Sequence, residues 1–177
     1  MSEIVLTPIG AADHARGPAD APLTLVEYAD FECPYCSEAR PAVEAVERRF
    51  AGRLRLVFRQ FPLRQIHPDA EAAAEAAEAA AAQGRFWEMH DQLFAHSKAL
   101  GREKLHAYAQ AAGVPDLDRF DSELAHRRYR PELDAAIERA ERSGVEGTPM
   151  FFINGQPFED DATVEALSAA LEEALAD

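Results

Sequence analysis

Two strand-like runs, Leu23–Tyr28 and Leu54–Phe61, bracket one helix-length segment, and this order constrains the chain more than any other feature. The segment carries Val43, Val46 and Phe50 at helical spacing, Pro34 at its start and Gly52 at its end. Such a strand–helix–strand unit closes right-handed and leaves its two strands parallel. Pro41, inside the helix, predicts a kink.

The next strong strand signal comes at Met150–Ile153. Asn154-Gly155 is a two-residue hairpin signal, so Gln156–Phe158 should return antiparallel, with Pro157 marking an edge strand. Asp161 is placed to cap a last helix running to Leu175. Between the two β units the pattern is helical throughout. A run of Ala and Glu extends from His67 to Gln83, with Glu71, Glu75 and Glu78 on an expected solvent face. Further helices are read around Phe86–Phe94, Arg102–Ala112 and Leu117–Arg127, and from Pro131 to Gly144. At the start, Ile4–Leu6 reads as a short edge strand and Gly10–Pro22 as loop. The fold class is therefore α/β, ordered β-α-β, helical block, β-β-α. The expected division is 1–62 with 145–177 for the β-containing part and 63–144 for the helical block.

The chain has 177 residues, of which 47% are hydrophobic and 28% charged, enough for a sizeable core. Its formal net charge of -14 repels phosphate backbones and anionic membrane faces, so neither nucleic acid nor membrane is an expected partner. Met1-Ser2-Glu3 has no basic leader, and no run approaches the ~18 apolar residues of a membrane span. A cytoplasmic location is expected on that basis. No heptad seam appears, and a monomer is expected.

The only two cysteines, Cys33 and Cys36, fall in the turn between the first strand and its helix. Cys33 precedes the first helical turn, where free N–H groups and the helix dipole favour an anion and lower a thiol pKa. Cys36, one turn in, is placed to resolve a mixed disulfide on Cys33. A structural zinc site needs four ligands, and His14, His67, His90, His96, His106 and His126 show no zinc-ligand spacing. Two inert core cysteines are the remaining bland reading. Glu27, an acid in an apolar strand, either points inward beneath the cysteines as a proton acceptor or faces water from an edge. A cis peptide at Thr148-Pro149 would expose the Thr148 backbone to an extended substrate. His67 and His90 read as cap or packing residues.

Cys33-Pro34-Tyr35-Cys36 after a strand bearing Glu27, with Gly147-Thr148-Pro149 ahead of Met150–Gly155, resembles the thioredoxin superfamily. The helical block, with Gly84-Arg85-Phe86-Trp87, resembles its DsbA-like branch. The resemblance implies a thioredoxin-like fold with an inserted all-helical subdomain. It implies Cys33 as nucleophile, Cys36 as resolving thiol, Pro149 as the cis proline and Glu27 as the buried acid. Pro34, Tyr35, Gly147 and Thr148 are the expected substrate contacts. Periplasmic DsbA proteins usually carry histidine where Tyr35 stands, whereas Pro-Tyr is common in glutaredoxins. The expected activity is disulfide exchange with protein thiols, as oxidase, reductase or isomerase. No bound cofactor is implied; glutathione or another dithiol protein would recycle the pair. A glutathione-dependent reductase or isomerase of small molecules, and a non-enzymatic thiol- or metal-binding module, stay open as alternatives.

Overall fold

A computed structural model describes residues 4–177. The first three residues of the expected 1–62 segment lie outside it. The chain enters the sheet as β1 (His14–Arg16) and continues through β2 (Leu23–Ala29), α1 (Pro34–Arg49) and β3 (Leu54–Gln60). Five helices follow: α2 (Ala70–Ala81), α3 (Phe86–Ala95), α4 (Arg102–Ala111), α5 (Leu117–Ala125) and α6 (Arg130–Arg142). The hairpin β4 (Met150–Ile153) and β5 (Gln156–Phe158) and the helix α7 (Val164–Ala176) complete the order. The sheet has the strand order β1-β3-β2-β4-β5. β2 and β3 are parallel from Leu23↔Leu54 to Ala29↔Gln60, and β4 is antiparallel to β2 from Leu25↔Ile153 to Tyr28↔Met150. The α/β class and the thioredoxin-like order expected from the sequence are both present, and α1 runs unbroken through Pro41.

The two faces of the sheet are covered differently. Leu23, Leu25, Leu54, Leu56 and Ile153 pack with Val43 and Val46 of α1, Phe50 at its C-cap, and Leu167 and Leu171 of α7. Val26, Tyr28, Val57 and Phe152 pack with Ala140 of α6 on the other face. α7 is capped by Thr163, whose Oγ1 accepts from the Ala166 N–H at 3.1 Å, rather than by Asp161.

The N-terminal edge departs from expectation. Ile4–Leu6 is not a strand; Ile4, Leu6 and Ile9 lie against the Val26–Val57–Phe152 cluster as a covering segment. The edge position belongs to His14–Arg16, read as loop, which pairs antiparallel with Leu56–Phe58. Its anchors are remote in sequence. The His14 ring stacks on Phe86 with centroids 3.7 Å apart, and its Nε2 lies 2.8 Å from Glu78. Arg16 holds both Glu47 carboxylate oxygens at 2.6 Å and lies over the Trp87 ring. Tertiary partners thus override a weak local strand preference.

The alanine-rich α2 departs as well. Glu75 is only 1% exposed, and Glu71 and Glu78 are largely covered, because α2 is surrounded by other elements. Arg127, with a left-handed φ of 51°, brings its guanidinium to Glu75 at 3.2 Å and to Glu71. Arg64 meets Glu71 at 3.0 Å and also pairs with Asp134 of α6. Glu78 receives His14 and Gln60. Helical periodicity marks these glutamates as one face but cannot reveal that the face meets arginines, a histidine and a glutamine instead of water.

Gly17 closes β1 at φ +93°, and a Cβ built there would stand 2.2 Å from the Leu54 carbonyl oxygen. Gly17→Ala should therefore cost at least about 2 kcal/mol, combining a strained φ with a backbone clash. A lower urea midpoint with an unchanged slope is the expected signature.

Candidate active site

β2 delivers the chain into a turn that Asp30 organises. Its Oδ1 accepts the Glu32 N–H at 2.7 Å, its backbone carbonyl accepts the Cys33 N–H at 3.1 Å, and its Oδ2 accepts the Leu63 N–H at 2.8 Å. His67 Nδ1 lies 2.7 Å from the same Oδ2. The turn places Cys33 at the N-cap of α1 in an extended conformation, with Pro34 as the first helical residue. β4, paired with β2, carries the Gly147–Pro149 loop over this turn. The Thr148–Pro149 peptide is cis, and the Cys33 thiol donates to the Thr148 carbonyl at 3.6 Å.

The two cysteines have opposite acidities. Both are free thiols; Cys33 is 2% exposed and Cys36 fully buried. A hydrogen bond from Cys36 lowers the Cys33 pKa to about 5, helped by Thr148 and the backbone N–H groups of Cys36 and Tyr35 against an opposing burial effect. In the thiol form Cys33 makes no side-chain cap bond to the first turn, so those amides remain available to a thiolate. The Thr148 hydroxyl is likewise buried without a hydrogen-bond partner among the described residues. Burial pushes the Cys36 thiol above the ordinary range, and the Cys33 interaction and the Glu27 charge add to this.

Glu27 adopts the inward of its two readings. It is 0% exposed in the middle of β2, and Arg40 Nη1 donates to its Oε2 at 2.9 Å. Burial raises the Glu27 pKa, while the Arg40 charge and hydrogen bond act against that rise. Glu27 Oε1 and Arg40 Nη2 are both buried without a hydrogen-bond partner among the described residues. Arg40 escaped the sequence reading, although its position carried a signal: Cys36, Arg40 and Val43 fall at i, i+4 and i+7 on one buried stripe of α1.

The remaining expected residues lie as follows. Tyr35 is 68% exposed at the mouth, and Pro34 is exposed beside it. Gly147 precedes Thr148, with open space where a Cβ would stand. His90 is a buried packing residue against Phe31, Phe58 and Phe94; burial lowers its pKa to about 4, opposed by its Asp91 hydrogen bond. His67 is not merely a helix-cap or packing residue, since its ring hydrogen-bonds to the active-site turn. Among the described residues no group of three or more His, Cys, Asp or Glu is placed to hold a metal ion.

A family model described as Thioredoxin matches residues 11–173. The chain belongs to the thioredoxin family, and its inserted helices place it with the DsbA-like members. It is similar in structure to BdbD from Bacillus subtilis, with a TM-score of 0.89 and 18% identity over 100% of both chains. It is also similar to DsbA2 from Pseudomonas aeruginosa, with a TM-score of 0.73 and 26% identity over 96% of this chain and 98% of that one. Among curated sequences it is 50% identical over 164 residues to the Na(+)/H(+) antiporter NhaA 3 of Salinispora tropica, covering 93% of this chain and 25% of the antiporter. The chain thus spans about a quarter of the length of the curated relatives it matches.

The cytoplasmic location expected from the N-terminus is overturned. Proteins sharing the fold include one described as a periplasmic thioredoxin-like protein from Salmonella enterica serovar Typhimurium, with a TM-score of 0.75 and 22% identity over 94% of this chain and 91% of that one. The expectation rested on where the chain begins, which carries no weight for a sequence matching a quarter of its relatives.

Reduced protein should alkylate at Cys33 alone, with the rate half-maximal near pH 5 and level by neutral pH, as read by mass mapping. Arg40→Met should cost about 3–5 kcal/mol at neutral pH, because it strands the buried Glu27 carboxylate. With its cation gone, the Glu27 pKa rises further above its unfolded value. The penalty should therefore shrink as pH falls into the carboxylate range and grow as pH rises, which urea titrations at several pH values would read.

Proposed function

We propose that this chain is a thiol–disulfide oxidoreductase exchanging disulfides with protein thiols, with Cys33 as nucleophile and Cys36 as resolving thiol. The observation that carries it is the placement of the pair, with Cys33 at a helix start against Thr148 and Cys36 sealed one turn deeper. The Cys33 thiolate attacks a substrate disulfide, forming one sulfur–sulfur bond and releasing one substrate thiolate, which takes a proton. Cys36 then gives its proton to Glu27 and attacks the Cys33 sulfur. The second substrate thiolate leaves, so the substrate gains two electrons and the protein becomes a disulfide. The same steps reversed oxidise a substrate dithiol. Thr148 and Pro149 present backbone to an extended substrate segment, with Gly147, Pro34 and Tyr35 at its border.

The stabilised Cys33 thiolate favours the dithiol form and tilts the pair toward accepting electrons. Its potential is expected between the ≈ −270 mV of thioredoxin and the ≈ −120 mV of DsbA. The site is complete within one chain, which supports action as a monomer. Residues 63–144 are taken as the inserted helical subdomain, with 145–177 and the N-terminal part forming the thioredoxin-like domain. No helix among the described residues is long and apolar enough to cross a membrane. Because the match covers a quarter of its antiporter-named relatives, we take the chain to correspond to an attached redox unit in them.

Cys36→Ser should accumulate a mixed disulfide through Cys33 when mixed with an oxidised protein substrate, and Cys33→Ser should trap none. Turnover in an insulin-reduction assay should fall at least about 100-fold in both. Equal trapping by the two variants would remove the assigned order of the thiols.

A further inference from the structure

Two acids, Asp30 and Glu32, lie within the three residues before Cys33, and each would oppose a thiolate there. The structure deals with both. Glu32 turns toward the start of α2, where its Oε2 accepts the Asp69 N–H at 2.8 Å. Asp30, with a side chain at 0% exposure, is satisfied by the Glu32 and Leu63 amides and by His67. His67 comes from the loop between β3 and α2, and its side chain is 15% exposed. Asp30 therefore anchors nucleophile and imidazole together: its carbonyl takes the Cys33 N–H while its carboxylate takes His67. Nearby cations are engaged elsewhere, Arg64 with Glu71 and Asp134, and Arg40 with Glu27.

We propose that His67, held by Asp30, is a positioning residue whose charge is coupled to that of Cys33, the imidazolium stabilising the thiolate and the thiolate stabilising the imidazolium. This rests on Cys33 being the nucleophile of a redox pair. Acting on His67 are the charged and titratable groups Asp30 and Glu32 of the turn and Cys33, the N-cap of α1. Burial disfavours the imidazolium, but the Asp30 hydrogen bond and the three negative charges outweigh it and raise the His67 pKa. The redox consequence follows by balance. Reduction of the Cys33–Cys36 disulfide takes two electrons from a substrate dithiol, which becomes a disulfide and releases two protons. One proton is bound by Cys36 and Cys33 stays a thiolate. Around the His67 pKa, part of the other proton is taken up by the imidazole and the rest is released to solvent.

Coupling between two titrating groups is reciprocal, and this supplies the test. The His67 imidazole pKa is measured by NMR titration of the unmutated chain in its reduced and its disulfide forms. It should fall on oxidation by about half a pH unit or more, since oxidation removes the thiolate charge. In His67→Asn an amide N–H stands where Nδ1 did, keeping a bond to Asp30 without the charge. The Cys33 pKa, read from thiolate absorbance, should rise in that variant by a matching amount. A His67 pKa unchanged by oxidation overturns the proposal and leaves His67 as a pin for the turn, whatever the variant does. A folded His67→Asn with the wild-type Cys33 pKa overturns it as well. Failure of the parent reading would look different: wild-type Cys33 would show no low pKa and trap no substrate.

Discussion

A carboxylate with no exposure in the central strand has to be matched by a cation, and much of this structure is arranged around that match. Glu27 sits at the middle of β2, and Arg40 reaches it from α1. An isolated buried charge would cost several kcal/mol, so strand and helix are held in one register by the penalty for leaving the pair. That register also sets the cysteines. Arg40 is one turn beyond Cys36, so fixing the guanidinium against Glu27 fixes the resolving thiol above the same acid. The hydrophobic faces of α1 would tolerate small slides; the ion pair does not.

Around this centre the molecule separates two tasks. The sheet with α1 and α7 builds a frame that holds a thiol at a helix start and a cis peptide opposite it. The helices α2–α5 close over the other end of the site, packing on Phe31, Phe58 and the cysteines. The lobe is tied to the loop after β3 by Arg64, whose partners lie on α2 and α6, and that loop carries His67. The frame supplies geometry, and the inserted helices supply much of the site's dryness.

The sequence made legible whatever depends on local pattern. Strand-length apolar runs, the Asn154-Gly155 turn and Pro34 at a helix start located β2, β3, the hairpin and α1, because turn chemistry and periodicity act within a few residues. Cys33, Cys36, Glu27 and Pro149 were readable as candidates; the cysteines and Pro149 meet beyond the end of β2, and Glu27 is buried within that strand. What escaped depends on partners remote in the chain. β1 has little strand character and exists through Phe86, Glu78, Glu47 and Trp87. The glutamates of α2 looked like a solvated face because nothing local announces Arg127 and Arg64. His67 looked like a helix cap until the fold brought Asp30 to it.

The hydrogen bond from Cys33 to Thr148 ties the acidity of the thiol to the loop opposite it. In the thiol form the proton occupies the Thr148 carbonyl, beside the cis peptide. Once the sulfur is ionised, above about pH 5, it has no proton to give, and that carbonyl is left free for the backbone N–H of another chain. Ionising the nucleophile and freeing the acceptor beside it are thus one event, governed by the acidity of a single side chain.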